Sequence, residues 1–98
     1  MAFADIYDFE VLKNESEKLV IEELSRQLDA HKGPICLCNV CVVDMAAMAL
    51  NTVKPLYRVS LLGGQYTSQA MAEKSFAVSL KDSVTKAIKK VKENPAHD

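Results

Sequence analysis

Residues 36–57 read CLCNVCVVDMAAMALNTVKPLY, and the fold turns on how that stretch is arranged. Val40, Cys41, Val42, Val43, Met45, Ala46, Met48, Ala49 and Leu50 give a run with no Gly or Pro until Pro55. The run predicts a helix that starts near Cys38 or Asn39. It should stop near Val53, because Pro55 disfavours helical geometry at Lys54. On a wheel of 100° per residue these apolar side chains cover almost the whole circumference. A helix apolar all round needs cover on every side. In a short chain a second subunit is the natural source, so a homodimer with Val40–Leu50 at or near its interface is expected. Asp44 and Asn51 are the two polar exceptions. Seven residues apart, they lie within about 20° of each other and about 10 Å apart along the axis. With Ala47 between them they form a narrow polar strip, read either as a ligand contact or as a satisfied ion pair and helix cap.

The three cysteines are all in this stretch. Cys38 and Cys41 share a helix face near an N-terminus, whose dipole favours thiolates, and Cys36 precedes them within reach of the same point. That is the local chemistry of a zinc knuckle, and a structural zinc takes four sulfur or nitrogen ligands. The fourth can be His31, five residues earlier, or a water or a group from another chain; His97, in the C-terminal tail, is set aside in favour of these. The alternative is that the thiols are ordinary small core residues.

Upstream, Val11, Leu12, Leu19, Val20, Leu24 and Leu28 recur at helical spacing, which predicts one long amphipathic helix from about Asp8 to Ala30, ended by Gly33-Pro34. Downstream, Tyr57–Leu61 reads as a short strand. Gly63-Gly64 then reads as a turn into a second extended piece around Gln65–Thr67. Leu80, Val84, Ala87, Ile88 and Val91 line one face of a last helix, about 79–93, with Ser79 and Asp82 resembling a capping box. The fold class is mainly α: one small helical domain, 1–98, with a short β element, expected as an intertwined or helix-packed homodimer.

Composition narrows the function classes. The 98-residue chain is nearly neutral, at net −1, yet residues 1–30 carry eight acids and three bases while residues 31–98 carry nine bases and five acids. A generally basic nucleic-acid binder is not indicated, and the lysines of the last helix read as its solvated face. The acidic start lacks a signal peptide's basic and apolar regions, and no apolar run approaches the ~18–20 residues of a membrane span. Three crowded cysteines make no disulfide framework, so a reducing cytoplasm is expected. No nucleophile–base pair and no phosphate-cradling glycine loop is recognisable, so catalysis is not expected.

Cys38, Asp44, Ala49-Leu50-Asn51, Pro55 and Tyr57 match, in order and spacing, the pattern of the ComFB family of late competence development proteins, which the chain resembles over about residues 10–60. Asn14 and Glu17 ahead of Leu19-Val20 also resemble the family's first helix. The resemblance implies a small cytoplasmic dimer. It also implies a receptor for a cyclic dinucleotide, chiefly cyclic di-GMP, relaying to an unknown downstream protein in competence or motility, and a cysteine-bound zinc as in one member. Members reported to bind nucleotides often carry a lysine pair where this chain has Pro34-Ile35, with Lys32 the nearest base. The family's double proline is Lys54-Pro55 here. Under this resemblance Asp44 and Asn51 would meet a guanine edge, Lys54, Arg58 and Lys32 the phosphates, and Tyr57 or Tyr66 a base face. Cys36, Cys38, Cys41 and His31 would hold zinc. The rival expectation is a zinc-stabilised dimeric adaptor without a small ligand.

Overall fold

A computed structural model describes residues 2–59 and 61–97; the side chains of residues 61–64, 66 and 67 are outside that description. In chain order the elements are α1 (Phe3–Ile6), a 3-10 turn (Phe9–Val11), β1 (Lys13–Asn14), α2 (Glu15–Ala30), α3 (Asn39–Leu50), β2 (Tyr57–Arg58), α4 (Leu61–Ala72) and α5 (Lys74–Glu93). The mainly α class with one small β element holds.

α2, α3 and α5 pack against one another. Val20 and Leu24 of α2 meet Cys41, Met45 and Ala49 of α3, and Phe76, Val84, Ala87, Ile88 and Val91 of α5 close the core. The one-turn spacing of Cys41, Met45 and Ala49 aligns them down a single stripe of α3. α3 runs opposite to both neighbours. Its first turn lies by the end of α5, and its last residues lie by Ser83 and Lys86 in the middle of that helix. No helix among the described residues is long and apolar enough to cross a membrane.

The single helix expected over Asp8–Ala30 is corrected: the chain is helical in two pieces, with a strand between them. Asp8 does cap, but it caps the 3-10 turn, accepting from the Glu10 N–H at 3.1 Å. The long helix begins after Asn14, whose Oδ1 accepts from the Ser16 N–H at 3.1 Å and from the Leu56 N–H at 2.8 Å. One side chain therefore caps α2 and fastens the segment that leaves α3. The Glu15 N–H donates to the Leu56 carbonyl at 2.8 Å, and the buried Ser16 hydroxyl donates to the Lys54 carbonyl at 2.5 Å. Lys13 and Asn14 pair antiparallel with Arg58 and Tyr57.

α3 starts where the sequence predicts and ends at Leu50, with the Thr52 and Val53 N–H groups still bonded to the Ala49 carbonyl. The strand foreseen over Tyr57–Leu61 is only Tyr57–Arg58. The turn at Gly63-Gly64 and the extended piece around Gln65–Thr67 are corrected outright, since all of them lie inside α4. Glycine costs about 1 kcal/mol in a helix interior, and packing of α4 on α5 and β2 outweighs that local preference. The last helix starts at Lys74 rather than near residue 79, because Phe76 is buried in the core and draws the preceding turn into the helix. Ser79 is accordingly mid-helix and caps nothing.

Candidate functional site

The first turn of α3 is one end of the candidate site. Cys38 is the N-cap, its sulfur accepting from the Cys41 N–H at 3.4 Å. Cys41 is buried one turn on, and Cys36 sits half-buried on the incoming segment. From Ser83, beside the end of α3, α5 runs back about 15 Å to Glu93, close to the length of α3 itself, so the tail that follows arrives beside the cysteines. His97 arrives there, with Nε2 at 3.2 Å from Cys36 Sγ. One ligand atom from each of Cys36, Cys38, Cys41 and His97 lies within 4.8 Å of all the others.

Three sulfurs and one imidazole nitrogen form a donor set suited to zinc. With bonds of about 2.3 Å and about 2.0 Å to a central ion, the separations near 4.8 Å would close somewhat, while the 3.2 Å between Cys36 and His97 would not need to. The electrostatics are already uneven. A hydrogen bond with His97, helped by others from Cys38 and Cys41, pulls the Cys36 thiol down to about 6. At Cys41 a hydrogen bond from the Ala96 backbone acts downward, but burial and the neighbouring Cys36 and Cys38 sulfurs outweigh it, and the thiol ends above its ordinary value.

His31 is not a member of this cluster; the fourth donor is His97. His31 instead ends α2, and its Nε2 is buried without a hydrogen-bond partner among the described residues, beside Gln27, Thr85 and Ile88. Sequence reasoning chose the histidine nearest in the chain. What brings the distant one in is the antiparallel course of α5.

The other end of α3 faces α5 across an open groove of about 360 Å³. Met48, Ala87 and Ser83 lie along it, together with Asn51, Thr52, Asp82, Lys86 and Lys90. Asp44 stands one turn before Met48 on the same side of the helix, half-buried, with no hydrogen bond or ion pair among the described residues. The polar strip read from the sequence is thus real as geometry, and it is bordered by two lysines the sequence reading left as solvated surface. Asp82 pairs with Lys86 at 2.9 Å.

The remaining expected ligand residues do not converge there within one chain. Arg58 is on the α2 side, its Nε donating to Glu15 at 2.6 Å. Tyr57 is exposed on β2, and the Lys54 carbonyl is held by Ser16. Lys32 follows the far end of α2, about 24 Å of helix from Glu15. The Tyr66 side chain lies outside the described residues.

Residues 13–95 match the profile of the late competence development protein ComFB family. The chain belongs to the ComFB family. Its structure is similar to the solved structure of the late competence protein ComFB from Bacillus subtilis, with a TM-score of 0.67 and 29% identity, covering 86% of this chain and 91% of that one. No curated protein sequence matches the chain. The family match takes in all three cysteines and the α3–α5 groove, while residues 2–12 and His97 lie outside it.

Proposed function

We propose that this ComFB-family chain is a non-enzymatic cytoplasmic regulator that binds a cyclic dinucleotide, cyclic di-GMP foremost, and relays it to a protein of the competence or motility machinery. The observation that carries this reading is the α3–α5 groove, with an apolar floor, two lysines at its rim and an unpaired carboxylate beside it. A guanine edge offers donors that Asp44 accepts, Asn51 can both donate and accept, and Lys90, with Lys86 in exchange for its pairing to Asp82, meets phosphate oxygens. At about 360 Å³ the groove is at the small end of ligand sites. It suits one half of a two-fold symmetric ligand, and a two-fold dimer supplies the other half.

A homodimer is part of the proposal. The chain exposes 7108 Å², roughly 1,600 Å² more than a compact monomer of its mass exposes. Its radius of gyration of 15.8 Å exceeds the ~12.5 Å of a compact chain of this length. Val40 and Val43 of α3 are among the exposed apolar side chains such a partner would cover.

Calorimetry with cyclic di-GMP and cyclic di-AMP tests the receptor reading. Binding by the wild type should weaken roughly 10- to 150-fold in Lys90→Ala, the loss of one charge-assisted contact. Asp44→Asn, which keeps shape but turns an acceptor oxygen into a donor, should weaken it too. Absence of heat with either nucleotide overturns the reading. The second reading then stands: a zinc-stabilised adaptor without a small ligand, supported by the three-cysteine, one-histidine cluster. Its test is elemental analysis, which should find close to one zinc per chain in protein purified without chelator.

A further inference from the structure

Residues 2–12 form an arm with a distinct chemistry. Phe3, Tyr7 and Phe9 gather into one aromatic cluster, with ring centroids 4.8 Å apart for Phe3–Tyr7, 6.1 Å for Phe3–Phe9 and 6.3 Å for Tyr7–Phe9. These rings nevertheless remain 51–68% exposed. Asp5, Asp8 and Glu10 are interleaved with them, and no lysine or arginine occurs before Lys13. Three aromatic rings held together in water are an unfilled half of an interface.

The complementary half is on the same chain. The α3–α5 groove presents Met48 and Ala87 between Lys90 and a Lys86 that is paired with Asp82 at 2.9 Å, and no residue of the chain's own arm lines it. α5 carries six lysines against Asp82 and Glu93. An acidic aromatic arm matches the groove in apolarity, and in charge at Lys90 and, in competition with Asp82, at Lys86.

We infer that the N-terminal arm of one copy docks in the α3–α5 groove of a second copy, its rings on Met48 and Ala87 and its carboxylates against Lys86 and Lys90. Two-fold symmetry lets both arms and both grooves be filled at once. The surplus surface described above is of the size such an exchange buries. Because the arm presents rings and negative charge, as a nucleotide does, arm and cyclic dinucleotide exclude each other from the groove. The inference rests on the dimer reading for its second copy, and it does not require the nucleotide.

The chain has no tryptophan, so Phe3→Trp is a clean reporter. Its emission should shift to the blue as the full-length protein is concentrated through its dimerisation range. Adding Lys86→Glu and Lys90→Glu should keep the emission water-like at tenfold higher concentration. A Phe3→Trp chain that also carries Asp5→Lys and Glu10→Lys should recover the shift when mixed with Lys86→Glu/Lys90→Glu protein. Light scattering on the same samples separates the two readings. A dimer whose tryptophan stays water-like overturns arm docking alone, and a monomer at all concentrations overturns the dimer with it. A blue shift independent of concentration means the arm folds onto its own chain, which also contradicts the inference.

Discussion

The two ends of α3 are fastened by opposite means. At the Leu50 end the joint is made of hydrogen bonds: Asn14 holds both Ser16 and Leu56, Ser16 holds the Lys54 carbonyl, and Glu15 holds the Leu56 carbonyl. Each donor there meets a matched acceptor, so nothing further is needed to close it. At the Asn39 end Cys36, Cys38, Cys41 and His97 converge on a common point from three segments of chain. That end brings together three thiols and an imidazole, and an ion is what would satisfy all of them together. One helix therefore has a self-sufficient joint and a joint that an ion from solution would tighten.

The comparison breaks most visibly if metal is taken away. Chelation of zinc-loaded protein, or Cys41→Ser, should cost at least about 3 kcal/mol, roughly 12–24 °C in Tm for a chain of this size. Thermal melts with and without chelator check this; equal melting temperatures would leave four side chains that merely neighbour one another. Asn14→Ala attacks the opposite joint. It removes a helix cap and the partner of the Leu56 N–H, and should cost about 1–3 kcal/mol in a urea titration. Zinc content should be unchanged, and loss of metal in this variant would mean that the two ends are not independent.

The smallest expected effect serves as a control away from both ends. Glu23 accepts from Arg26 Nε at 2.9 Å and from Gln27 Nε2 at 2.7 Å, and Gln27 also reaches the Lys81 carbonyl and Thr85 on α5. The hydrogen bond with Arg26 dominates over burial and holds the Glu23 carboxyl below its ordinary value of 4.5. Its folded pKa is depressed, so its contribution is present above pH 4.5 and lost as pH falls through the lower folded value. Glu23→Gln should cost only about 0.2–1 kcal/mol near neutral pH, and the difference from wild type should shrink in acid melts.

Of the two ends, the sequence announced the metal-suited one more clearly. Cys36, Cys38 and Cys41 could be read as a set because all three lie on one helix start, where spacing alone fixes their proximity. His97 could not, since it is 61 residues from Cys36 and arrives only through the length and direction of α5. The hydrogen-bonded joint was the less legible one. Asn14 reads locally as one polar residue inside an amphipathic pattern, and its second bond, to Leu56, spans 42 residues. The same limit explains α4, where Gly63-Gly64 spoke for a turn and contacts with α5 and β2 decided otherwise. Asp44 and Asn51 fell on one face as their spacing requires, but the lysines opposite belong to another helix. For Arg58, pairing with Glu15 across the β1–β2 junction was invisible from its position after Pro55.

Amide hydrogen exchange on zinc-loaded and zinc-stripped protein measures the difference between the two joints directly. Stripping zinc should sharply lower protection over residues 38–44, the first turns of α3, and over the end of α5 before His97. Protection at Ser16, Leu56 and the β1–β2 pair should stay close to its loaded value. Equal loss at both ends, or no loss at the cysteine end, would contradict the account.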